Sequence, residues 1–172
     1  MRISLLNWPF RNIYLLIMVF VGLIISKASY MMYILNLKPC SLCITQQFLY
    51  FLIVIVSFLV FVFNPRFKVY IFYTFVLSIL TVLGIWVSAR QVWLQNLSED
   101  IVPSCGPSLE YIVNALPFKD VLFAIFIGDG NCAKVEWTFL SLSIAGWSLI
   151  LFIILFLLCL LIIIRGYCYI YK

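Results

Sequence analysis

Apolar side chains fill four long runs in this chain, and polar residues are confined largely to the connectors between them. The runs cover about 13–33, 44–63, 69–87 and 140–164. Each is close to the roughly 20 helical residues needed to cross about 30 Å of hydrocarbon. A segment in lipid has no water to satisfy its backbone, so each run is predicted to be a membrane-spanning α-helix. The fold class expected is an all-α membrane protein, a four-helix bundle forming a single domain over residues 1–172.

The connectors orient the bundle. Arg2 and Arg11 precede the first run, Arg66 and Lys68 follow Asn64-Pro65, and Arg165 and Lys172 follow the last run. These three short segments carry no acid, and the positive-inside rule makes their side cytoplasmic. Glu99, Asp100, Glu110, Asp120, Asp129 and Glu136 all lie between the third and fourth runs. Two outer loops follow, about 34–43 and 93–139, with both termini inside. The acids read as groups that solvate the long loop rather than as acid–base machinery. Within that loop Leu109, Ile112, Val113 and Leu116 keep an i, i+3, i+4, i+7 spacing between Pro107 and Pro117. That predicts a short amphipathic helix, lying on the membrane surface or packed on the bundle. Arg11, the first run and Ser26-Lys27-Ala28 imitate a cleavable signal peptide. The apolar run resumes through Tyr33, however, so the first helix is read as retained. Lys27 is expected to snorkel to the interface.

Composition narrows the function. Of 172 residues 66% are hydrophobic and 10% charged, against about 25% charged in a soluble domain. The net charge of +5 is scattered rather than gathered in a patch, so nucleic acid is not an expected partner. The chain has no histidine, which removes the usual general base and any imidazole ligand to haem or zinc. The spans carry no paired acids, which disfavours a transporter.

Any reaction must then use sulfur, carboxylates, lysine, arginine or a bound cofactor, and the sulfurs are the patterned group. Cys40 and Cys43 form Pro-Cys-Ser-Leu-Cys just before the second run, and Cys105 and Cys132 lie in the long loop. All four fall on the outer side, where an even number of cysteines is expected to pair. The Cys-X-X-Cys pair opens a helix, whose N-terminal N–H groups favour a thiolate, and Cys43 is the better placed inside the first turn. Lys38 adds positive charge nearby. A lipid-soluble oxidant can reach such a site. Spacing leaves open two inert staples, the longer one stabilising by roughly 3–4 kcal/mol. A zinc site is a poor fit, because Cys105 and Cys132 stand far apart, and no metal is expected. Cys159 reads as a small hydrophobe within the fourth span, and Cys168, near the inner face, is weak evidence of acylation. Trp137 is accounted for by the interfacial aromatic belt.

Five segments carry a family resemblance: Pro39–Cys43, Ala89–Gln95, Pro103–Pro107, Cys132–Leu140 and Gly146-Trp147. In this order and topology the chain resembles the disulfide bond formation protein B (DsbB) family along nearly its whole length. The resemblance implies a protein-dithiol:quinone oxidoreductase of the bacterial inner membrane with its redox cysteines in the periplasm. It implies that a reduced DsbA-like periplasmic thiol oxidase attacks a Cys105–Cys132 disulfide, with Cys105 taking the mixed disulfide. Cys132 then attacks Cys40, and electrons leave through Cys43 to a membrane quinone, ubiquinone or menaquinone. One position departs from the pattern. The family usually has an arginine four residues after the second cysteine, and here that residue is Gln47. A glutamine can donate a hydrogen bond to a quinone carbonyl but supplies no cation. Gln47 and Cys43 are therefore candidate quinone contacts, with Arg90 at similar membrane depth as a compensating cation or a headgroup anchor. The competing readings are a non-catalytic membrane protein with two structural disulfides, a carrier passing electrons to a protein, and a paralogue with a specialised partner.

Overall fold

The computed structural model describes residues 10–34, 40–65, 67–97, 130–133, 135 and 137–170. Cys105 and the amphipathic helix expected over Leu109–Leu116 lie outside these residues. Four helices dominate: α1 Phe10–Ile34, α2 Ser41–Phe63, α3 Phe67–Gln95 and α4 Ile144–Ile170. All four are long and apolar enough to cross a membrane. Among the described residues between α3 and α4 are one turn of 3-10 helix, Gly130–Ala133, and a two-stranded hairpin. Its strands, β1 Thr138–Phe139 and β2 Leu142–Ser143, pair antiparallel with Thr138 opposite Ser143.

The bundle is apolar on the outside. Leu16, Phe20, Phe51, Phe72, Phe75 and Leu161 are all exposed, while Thr74, Thr81, Ser57 and Ser88 are almost wholly buried. Water would not tolerate that girdle of aromatic and aliphatic side chains, whereas lipid does. Because lipid tails are as apolar as leucine, helices in a membrane associate through close packing and hydrogen bonds rather than by hiding hydrophobic surface. The contacts follow that rule. Tyr14 of α1 shares a hydrogen bond with Thr74 of α3. Tyr50 of α2 reaches Ser148 of α4 at 3.1 Å and stacks on Phe152 of α4 with ring centroids 4.2 Å apart. α1 packs on α2, α2 on α3, and α3 most extensively on α4.

Helix ends fix the register of this packing. Asn64 closes α2 in the left-handed region (φ 40°), its N–H donating to the Val60 carbonyl, and its side chain accepts from Tyr70 Oη at 2.9 Å. Asparagine is among the few residues that enter this region readily. α3 continues to Gln95, eight residues beyond the expected end near Val87. Its apolar run stops there, but Ser88, Gln91 and Leu94 carry the buried face onward. α4 begins at Ile144 rather than near Leu140, because Leu140 and Ser141 make the hairpin turn. Ser143 ties the start of α4 down by accepting from Gly146 N–H at 3.2 Å and donating to Gln95 Oε1 at 2.6 Å.

Candidate redox site

The site lies at the bundle end formed by the start of α2, the end of α3 and the 3-10 turn. Cys40 is the N-cap of α2, in extended backbone, and its sulfur accepts from Cys43 N–H at 3.3 Å. A sulfur thus fills the capping role usually taken by Ser, Thr, Asp or Asn. The cap brings the two side chains of the motif together, with Cys40 Sγ donating to Cys43 Sγ at 3.0 Å. Cys43, one turn into the helix, is half-buried, whereas Cys40 is buried. The 3-10 turn then delivers Cys132 to the same place from far along the chain. Cys132 is 1% exposed, and its sulfur shares a hydrogen bond with Ser41 Oγ at 3.4 Å. Hydrogen bonding with Cys132, then with Cys43, together with burial, pushes the Cys40 thiol well above its ordinary range. Cys40 therefore sits between the other two sulfurs and holds its proton. All three are thiols here.

Two further side chains belong to the site. Gln91 of α3 is 3% exposed, and its Nε2 donates to Cys43 Sγ at 3.2 Å and to Cys40 Sγ at 3.4 Å. Its Oε1 accepts from Gln46 Nε2 of α2 at 2.8 Å, and Gln46 is buried as well. Sequence reasoning put Gln91 within a matching segment without giving it a role, and it passed over Gln46 in favour of Gln47. The available signal was cost: an amide inside an apolar helix is expensive unless hydrogen-bonded, so two such residues at thiol depth should face each other.

Of the other expected site residues, Cys105 lies outside the described residues, and Gln47 and Arg90 stand beside the site's glutamines in sequence. Gln47 is half-buried on α2, next to Gln46. Arg90 precedes Gln91 on α3, half-buried, with its guanidinium 5.0 Å from the centroid of the Trp93 ring. Cys159 is buried in α4, apart from this cluster by more than three helical turns from Ile144. Lys27 is exposed on α1.

Comparison with known proteins places the chain as a whole. Residues 10–162 match the family described as disulfide bond formation protein DsbB. The chain belongs to the DsbB family. It is 46% identical to disulfide bond formation protein B of Saccharophagus degradans over 133 residues, covering 77% of this chain and 80% of that protein. It is 41% identical to that of Hahella chejuensis over 143 residues, 83% and 87% of the two chains. The likeness to the Marinobacter nauticus protein, 39% over 161 residues, covers 94% of each. Among DsbB proteins this is therefore a multi-pass membrane member of a disulfide-forming oxidoreductase family, with most of its length accounted for.

Proposed function

We propose that this chain reoxidises a DsbA-like thiol oxidase and passes the electrons to a membrane quinone. The observation that carries the reading is the meeting of Cys132 with Cys40 and Cys43, three thiols brought to one end of the bundle from two distant segments. Inert staples need each cysteine near its own partner; a relay needs the pairs near each other. The reaction starts with a partner thiolate attacking a Cys105–Cys132 disulfide at Cys105, which releases Cys132 as a thiolate. Cys132 attacks Cys40 of the oxidised Cys40–Cys43 pair, and Cys43 leaves as a thiolate. Each exchange makes one S–S bond and breaks one, so no external oxidant is needed until Cys43 carries the electrons.

The residues around Cys43 suit a quinone. Cys43 is less buried than Cys40; Gln91 donates to it from α3, Gln47 stands one turn further along α2, and Arg90 precedes Gln91 on α3. When bound, a quinone accepts two electrons and two protons. Cys43 would face it, and Gln47 and Arg90 would bind its carbonyls. The orientation that goes with this function has both termini in the bacterial cytoplasm and the thiols in the periplasm, within one membrane domain spanning the chain.

The test is anaerobic mixing of purified protein with a reduced DsbA-like partner and ubiquinone or menaquinone, following quinone reduction. Wild type should reduce quinone in proportion to partner oxidised. Cys43→Ala should lose that activity by at least about a thousandfold while still forming a mixed disulfide with the partner. Equal rates for the two proteins would remove Cys43 as the exit and with it this function.

A further inference from the structure

Gln91 is placed at a cost that its surroundings explain. A buried amide needs partners for both its ends, and Gln91 finds them in different chemical groups. Its carbonyl is taken by Gln46 Nε2, so its NH2 group faces the two sulfurs. Neutral thiols are weak acceptors, and the same N–H groups bond far more strongly to a thiolate. Cys43 Sγ receives both a Gln91 N–H and the Cys40 S–H. It also lies in the first turn of α2, where the helix N-terminus favours an anion.

We propose that Gln91 is a catalytic residue whose amide stabilises the Cys43 thiolate, and that Gln46 is a positioning residue keeping the NH2 group turned toward sulfur. The inference rests on the relay described above and adds the group that makes its leaving thiolate stable. In the step concerned, the Cys132 thiolate forms a bond to Cys40, the Cys40–Cys43 bond breaks, and its electron pair stays on Cys43. Gln91 supplies a hydrogen bond to that new charge and exchanges no proton. The titratable groups facing Gln91 are Cys40 and Cys43 on α2, with Cys132 of the 3-10 turn against Cys40. Arg90 on α3 has its guanidinium over Trp93, α4 brings no titratable residue before Cys159, and on α1 Lys27, Tyr30 and Tyr33 are exposed.

The experiment uses full-length, fully reduced protein in detergent and measures the pH profile of Cys43 alkylation by mass spectrometry. Gln91→Leu should move the midpoint upward, leaving about tenfold less Cys43 thiolate at neutral pH. Gln91→Glu, nearly isosteric, should move it further, because a carboxylate then faces the thiolate. Gln46→Leu should shift it in the same direction by less. A merely structural Gln91 would leave these midpoints in place. Unmoved midpoints in Gln91→Glu, whose shape is conserved even if Gln91→Leu does not fold, overturn the inference. The readout uses neither quinone nor partner. Shifted midpoints with no partner-driven quinone reduction in wild type would therefore sink the relay and leave the amide's role standing.

Discussion

Three sulfurs share one cluster, yet their surroundings make them chemically unequal. Cys132 and Cys40 are buried, and Cys40 is held protonated by its thiol neighbours, while Cys43 is partly open and receives donors. In reduced protein at neutral pH, an alkylating agent should therefore modify Cys43 at least about tenfold faster than Cys40 or Cys132, and unfolding should equalise the three. The pH dependence has a definite sign. An ordinary thiol has a pKa of 9.0, and that of Cys40 lies above it, so Cys40 carries less thiolate than a free cysteine at every pH below. Its labelling rate should still be climbing past pH 9.0 rather than levelling there. Peptide mapping of timed alkylation checks both statements; equal labelling of the three in folded protein would contradict the cluster. One turn before Gln91, the Ser88 hydroxyl is wholly buried and has no hydrogen-bond partner among the described residues. Removing an unsatisfied polar group is close to neutral or stabilising, in contrast to removing a bonded one. Ser88→Ala should keep or raise the melting temperature in detergent, whereas Gln91→Leu, which orphans Gln46 Nε2, should lower stability by about 1–3 kcal/mol.

Elements were legible in the sequence wherever lipid dictates the residue types, and less so where the chain meets the interface. The runs at 13–33, 44–63 and 69–87 sit within helices α1, α2 and α3 because uninterrupted apolar residues leave the backbone no alternative in a membrane. The expected end near Val87 fell short because Ser88, Arg90 and Gln91 look like solvent residues, although Ser88 and Gln91 face inward. The hairpin before α4 was hidden for a similar reason: Leu140 and Leu142 read as the start of a span but point outward beside a turn. That turn places Leu140 at φ 52° and Ser141 at φ 63°, both left-handed and neither glycine. Tight antiparallel turns of this kind favour Asn-Gly, since a side-chain-bearing residue costs about 1–2 kcal/mol there. Trp147 Nε1 donates to the Phe139 carbonyl at 3.1 Å, and Phe139 stacks on Trp137, so aromatic contacts hold the hairpin against the strain. Ser141→Gly should accordingly stabilise the protein by about 1 kcal/mol, as a higher midpoint in thermal unfolding. A lower midpoint would mean that the serine side chain matters more than the backbone relief.

At the scale of the whole molecule, the site depends on α3 holding a fixed distance from both α2 and α4, because Gln91 must meet α2 while α3 packs on α4. The length of the apolar runs announced four spanning helices but not which residues set their spacing, since in lipid small residues rather than large ones decide it. Here the setting residue is Gly84. It is buried on α3, and the Phe152 ring of α4 lies directly on its Cα, leaving no room for a β-carbon. Phe152 in turn is wholly buried and stacked on Tyr50, whose hydroxyl is fixed by Ser148. One methyl group at position 84 would have to displace a ring that cannot move without breaking the stack. Such overpacking costs about 1–3 kcal/mol. Gly84→Ala should therefore lower the unfolding midpoint in detergent, and because the ring is pinned against α2, it should also pull α3 off α2 and slow Cys43 alkylation as Gln91 retreats. Adding Phe152→Leu to Gly84→Ala removes the clash, and recovery of most of the lost stability is expected despite the lost stacking contact, worth about 0.5–1.5 kcal/mol. If the double variant were as unstable as the sum of the two single changes, Phe152 would not be what position 84 meets, and the spacing of α3 from its neighbours would have another origin.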